Sequence, residues 1–137
     1  MLIHGRVLAI GHETDSNVVA SGLRDAKYNS NFNELALHAI TLDQTTATAF
    51  IELLRHDDRE WKSVEVINCR GQVETAIILV MSVDRVKALN LIRNIDMVGG
   101  YAALGTALQA TTSLLKLRLT STIQTDDGTA LAEGLRN

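Results

Sequence analysis

The 137-residue sequence predicts an α/β fold, a solenoid of strand–helix units stacked in chain order, with parallel strands on its concave face and helices on its convex face. Two observations predict it. The first is a recurring spacing, apolar-x-x-apolar-x-apolar. It appears in "LLKLRL" (Leu114, Leu117, Leu119), "VKALNL" (Val86, Leu89, Leu91), "WKSVEV" (Trp61, Val64, Val66) and "FNELAL" (Phe32, Leu35, Leu37). A weaker copy is "GRVLAI", where Leu8 and Ile10 fit and Gly5 does not. The copies begin near residues 5, 32, 61, 86 and 114, with steps of 27, 29, 25 and 28 residues. In the four strong copies all twelve column positions are apolar; at 46% hydrophobic content a fixed register would give that roughly once in ten thousand.

The second observation lies in the segment after each strand. "NVVASGLRDA", "TTATAFIELLR", "VETAIILVMS", "YAALGTALQA" and "GTALAEGLRN" have apolar residues three and four apart, such as Phe50, Leu53 and Leu54 or Leu104, Ala107 and Leu108. That is helical spacing. One strand and one helix cannot cover their own apolar face, so stability has to come from stacking neighbours. A doubly wound sheet also alternates strand and helix. Its buried strands, however, read as continuous apolar runs rather than pairs interrupted by charge.

These columns resemble leucine-rich repeats of the ribonuclease-inhibitor-like, long helical class. The resemblance implies a single domain over residues 1–137 with about five repeats. It also implies an inward Asn or Cys after each strand that ties down the loop backbone. Asn94 and Cys69 fill that column, Thr122 can do so through its hydroxyl, and Glu13 and Ile40 depart from it. The next apolar column is met by Leu42 but not by Gly71, Asp96 or Gln124. No polar cap is recognisable at either end, so the chain reads as an excerpt of a longer array or as one that self-associates end to end.

Composition removes several functions. A net charge of −3 gives no basic field for phosphates, which argues against nucleic-acid binding. No run approaches the ~18 apolar residues of a membrane span, and the longest, "AIILVM", is a buried element. One cysteine cannot form an internal disulfide, and the N-terminus lacks a signal peptide, so a cytoplasmic or nuclear location is expected.

Catalytic chemistry has no foothold, and no enzyme is expected. His4, His12, His38 and His56 show no ligand pairing, so neither a metal nor a cofactor is expected. "HDDRE" (56–60) reads as a solvated turn, and "TDDG" (125–128) as a helix start with Thr125 at the N-cap. No phosphate-cradling glycine loop is present.

The concave face remains. On each strand the residues flanking the inward pair point to solvent. Of these, Glu34, His38, Glu65, Ile67, Asn90, Ile92, Arg93, Lys116 and Arg118 form the candidate contact surface for a partner protein. Ile67 and Ile92 make an apolar centre, and charge runs from Glu34 and Glu65 to Arg93, Lys116 and Arg118. The expected role is a non-enzymatic protein–protein interaction module. The resemblance also offers a regulator of a small GTPase, like the Ran GTPase-activating proteins, or a structural fragment of a larger protein.

Overall fold

The computed structural model describes residues 2–4, 6–29, 31–56, 59–71, 73–94 and 100–120. The helix expected at 128–137, with its cap at Thr125, lies outside these residues, as does Thr122. Five parallel strands, β2 (Val7–Gly11), β3 (Glu34–His38), β5 (Ser63–Ile67), β7 (Ala88–Ile92) and β8 (Lys116–Thr120), lie side by side in chain order. Helices α1 (Ser16–Ala26), α2 (Gln44–Arg55), α3 (Val73–Val83) and α4 (Gly100–Leu108) connect them and pack against one another in the same order. Strand order never reverses, which removes the doubly wound alternative.

The register explains the columns. Leu8, Leu35, Val64, Leu89 and Leu117 align across the sheet, as do Ile10, Leu37, Val66, Leu91 and Leu119. The first four of each row are buried, and Leu117 and Leu119 pack partly buried against the same core. The leading column, Phe32, Trp61 and Val86, is buried too. Helix faces complete the core: Val19, Ala20, Leu23 and Ala26 from α1, and Phe50, Ile51, Leu53 and Leu54 from α2. Both helices are started by aspartate. Asp15 accepts from the Asn17 amide at 2.9 Å and Asp43 from the Thr46 amide at 2.9 Å, satisfying donors that have no partner inside the helix. Hydrogen bonds from Ser16 and from the Thr46 amide hold the Asp43 carboxyl below its ordinary pKa.

Strands β2, β3, β5 and β7 each end in a turn of one repeated form. His12, Ala39, Asn68 and Arg93, the residues directly after β2, β3, β5 and β7, all have φ between 51 and 56°. Their amides continue the ladder: His12 donates to His38 O (3.0 Å), Ala39 to Ile67 O (2.9 Å) and Asn68 to Ile92 O (2.9 Å).

Two elements were not expected. Strand β1 (Leu2–His4) pairs antiparallel with β2, so the outer edge of β2 is covered. At the N-terminal side, where no polar cap was expected, β1 thus forms the edge of the sheet. A second sheet joins β4 (Thr41–Leu42) to β6 (Arg70–Gly71) in parallel. Gly71, which breaks the apolar column, has a backbone reason. Its φ is +88°, and a Cβ there would lie 2.8 Å from Leu42 O. Gly71→Ala is therefore expected to cost about 1–3 kcal/mol through strain and loss of the β4–β6 pairing, read as a lower urea midpoint.

The turn after α3 is closed by Asp84. Its carboxylate accepts from Thr111 Oγ1 (2.8 Å), the Thr112 amide (2.9 Å), and both the amide (2.9 Å) and hydroxyl (2.8 Å) of Ser113. These donors, together with the Thr112 hydroxyl, hold its pKa far below the usual carboxylate value. The stabilisation is complete above the unfolded pKa of about 4 and is lost as pH falls toward the lowered folded value. Asp84→Asn is expected to lower stability at pH 7 and to flatten the pH dependence below about pH 4, checked by thermal melts from pH 7 to 2.

Candidate functional site

One face of the sheet is covered by the helices; the other carries the polar rows. Three rows cross it in register. The first runs Val7, Glu34, Ser63 on β2, β3 and β5, with Ala88 and Lys116 paired on β7 and β8. The second is Ala9, Ala36, Glu65, Asn90 and Arg118, and the third Gly11, His38, Ile67, Ile92 and Thr120.

Cross-strand pairs order these rows. Ser63 Oγ donates to Glu34 Oε1 at 3.3 Å, and Asn90 Nδ2 donates to Glu65 Oε1 at 3.1 Å. His38 Nε2 lies 3.7 Å from Glu65 Oε2, beyond hydrogen-bond reach. Glu65 thus stands between an imidazole and an amide from the two adjacent strands. Ile67 and Ile92 are direct register partners, each half-buried, so the apolar centre is contiguous. Ala36, by contrast, is buried beneath its neighbours and is not a surface residue.

The face therefore brings together Glu34, His38, Glu65, Ile67, Asn90 and Ile92 on three adjacent strands, with Lys116 and Arg118 exposed on the fourth. Arg93 sits at the rim, in the turn that ends β7, and is exposed. The charge gradient read from the sequence is present: carboxylates on β3 and β5, cations on β8 and beyond the end of β7.

A shallow hollow of about 110 Å³ lies over the acidic part, between Val7, Glu34, Ser63 and Glu65. A larger groove of about 230 Å³ lies at the ends where the strands begin. Sequence reading missed three of its residues, Lys62, Lys87 and Leu115. They occupy the position immediately before the outward residues that begin β5, β7 and β8, a column one step outside the three outward rows. The signal was present in the matching positions of "WKSVEV" and "VKALNL".

Residues away from this face have structural work. Cys69 is buried, and burial raises its thiol pKa, the reverse of an activated nucleophile. Among the described residues no cluster of histidine, cysteine and carboxylate could hold a metal, and no helix is long and apolar enough to cross a membrane. Of the turn expected to be solvated at 56–60, His56 and Glu60 are exposed, Asp57 and Asp58 lie outside the described residues, and Arg59 is anchored. Arg59 lies over the Trp61 ring, 5.0 Å from its centroid, and donates to Phe32 O (3.2 Å) and Lys27 O (3.3 Å). Glu60 pairs with Lys87 at 2.8 Å, which lowers its pKa.

Fold and face together define an α/β stack with an open, mixed-charge parallel sheet. No family model matches the chain, and no curated protein matches it. Among solved structures it is similar to leiomodin-1 actin-binding site 2, with 12% identity, a TM-score of 0.66, and coverage of 96% of this chain and 81% of that one. The assignment to the ribonuclease-inhibitor-like class of leucine-rich repeats is corrected by this result. The apolar columns report only which side chains face the core, a requirement that other stacked strand–helix folds share. They carry no class-specific information, and the solved likeness lies with the leiomodin segment.

Proposed function

We propose that this chain is a non-enzymatic interaction domain, a horseshoe of about five strand–helix units that binds a partner protein across the open face of its sheet. The observation that carries the reading is the register-matched Ile67–Ile92 pair, flanked by Glu34, His38 and Glu65 on one side and by Arg93, Lys116 and Arg118 on the other. An apolar centre within a polar, charge-graded surround is how protein contact surfaces are built. A partner protein fits this better than nucleic acid, given the net charge of −3. The leiomodin-1 segment of similar fold is an actin-binding site, which makes filamentous actin the first partner to test.

The experiment compares wild type with the double variant Ile67→Asp, Arg118→Glu, both confirmed folded by circular dichroism. Co-sedimentation with filamentous actin and affinity capture from lysate are run side by side. At least about tenfold weaker retention of a partner by the variant, a loss of roughly 1.4 kcal/mol, supports the open face as the contact. Equal retention by both proteins overturns it.

A further inference from the structure

The groove at the strand beginnings has a composition unlike the rest of the face. Its apolar part is Ala88 and Leu115, and Leu115 is 76% exposed, an unusual position for a large aliphatic side chain. Around it stand Lys62, Lys87 and Lys116, with Glu34 at one end.

The register makes this a regular spacing rather than a scatter. Ala88 and Lys116 are cross-strand partners, and Lys87 and Leu115 precede them on the same two strands. Lys62 precedes β5, the neighbour on the other side. Adjacent strands are ~4.8 Å apart, so the three lysine backbones fall within about 10 Å of one another. Lys87 is engaged by Glu60, whereas Lys62 and Lys116, both exposed, form no ion pair among the described residues. Glu34 is turned toward the hydroxyl of Ser63. Among the described residues the groove thus offers two cations free of ion pairs, Lys116 next to the exposed Leu115 in the chain and Lys62 two strands away.

We infer that this groove takes an acidic segment of a partner protein, one whose carboxylates meet Lys62 and Lys116 while an aliphatic side chain seats on Leu115 and Ala88. Charge complementarity selects the acid, and the exposed leucine selects a polypeptide over a bare polyanion. The inference rests on the open sheet face being a protein contact and adds where the contact begins and what chemistry it takes.

The test uses a fluorescein-labelled 12-residue peptide of alternating glutamate and leucine, the same peptide with every glutamate replaced by glutamine, and a 12-nucleotide single strand of thymidine. Anisotropy is read with wild type, Lys62→Glu/Lys116→Glu, Leu115→Ser and Ile67→Asp/Arg118→Glu, each matched for melting temperature. The expected result is binding of the glutamate peptide to wild type, weakened by added salt, and at least about tenfold weaker binding by both the lysine and the leucine variants. No binding of the glutamate peptide, equal binding of the glutamine peptide, or unchanged binding by the lysine variant overturns the inference. Thymidine strand binding as tight as the peptide, with Leu115→Ser unaffected, overturns the choice of a polypeptide. A partner captured by wild type, retained by the lysine and leucine variants and lost by Ile67→Asp/Arg118→Glu would sink the groove and leave the broader contact face standing.

Discussion

Trp61→Ala is expected to remove about 3–5 kcal/mol of stability, a drop of about 10–15 °C in melting temperature for a chain of this size. Trp61 is fully buried and stands at the join between two units. Its amide donates to Arg85 O (2.8 Å) and its carbonyl accepts from the Lys87 amide (2.9 Å), so its backbone is clamped to the strand of the next unit. Its ring is roofed by the Arg59 guanidinium, which in turn holds the carbonyls of Lys27 and Phe32. Truncation would open a cavity under that arginine and strand a cation whose packing surface has gone. Trp61→Phe separates the terms. The indole Nε1 is buried without a hydrogen-bond partner, so phenylalanine discards an unsatisfied donor along with some volume. It is expected to cost less than half of what alanine costs. Urea unfolding of the two variants checks both values, and a loss below about 1 kcal/mol for alanine would refute the role given to this residue.

Whether a feature could be read from the sequence depends on how local its cause is. The inward pairs Leu35/Leu37 and Val64/Val66 obey the two-residue alternation of a strand, and the stripe Val19, Leu23, Ala26 obeys helical spacing. Both are properties of consecutive residues. The order of the strands comes with them, because each unit can bury its face only against the next. The open-face rows were legible for the same reason, since they are the complement of the buried ones.

Features set by non-local backbone geometry were not legible. Strand β1 pairs antiparallel with β2, and its sequence carries no apolar column. Gly71 looked like a failed hydrophobic position; its meaning is the closeness of Leu42 O, which belongs to the preceding unit and reaches Gly71 only through the β4–β6 pairing. Arg59 sits in a run of charge, "HDDRE", and what holds it lies outside that run: the Trp61 ring and the carbonyls of Phe32 and Lys27. Lys62, Lys87 and Leu115 lie just before their strands, where two-residue alternation no longer dictates which side chains are outward. The class assignment failed for a related reason: burial columns constrain packing, and packing is shared by folds of separate ancestry.

Asn94→Ala is expected to cost about 2–4 kcal/mol, an effect out of proportion to a residue that is not fully buried. The side chain bridges two units. Its Nδ2 donates to Val66 O at 2.9 Å, and its Oδ1 accepts from the Cys69 amide at 2.9 Å. Removing it leaves the Cys69 amide of the preceding turn without its side-chain acceptor, worth about 1–3 kcal/mol when desolvated, and takes a donor from Val66 O in β5. The unit before shows what a partial substitute looks like. Cys69 Sγ lies 3.5 Å from both Leu37 O and Ile67 O, so a thiol in this column reaches carbonyls but offers little to an amide. Asn94→Cys should therefore recover part of the loss, by way of the Val66 carbonyl alone, and Asn94→Asp should recover only the contact to the Cys69 amide while setting a carboxylate against a carbonyl. Hydrogen exchange locates the effect. The Cys69 amide should lose protection in Asn94→Ala and keep more of it in Asn94→Asp than in Asn94→Cys. If all three variants were equally stable and equally protected, the turn would be held by its backbone ladder alone, and the coupling between neighbouring units would lie entirely in the apolar core.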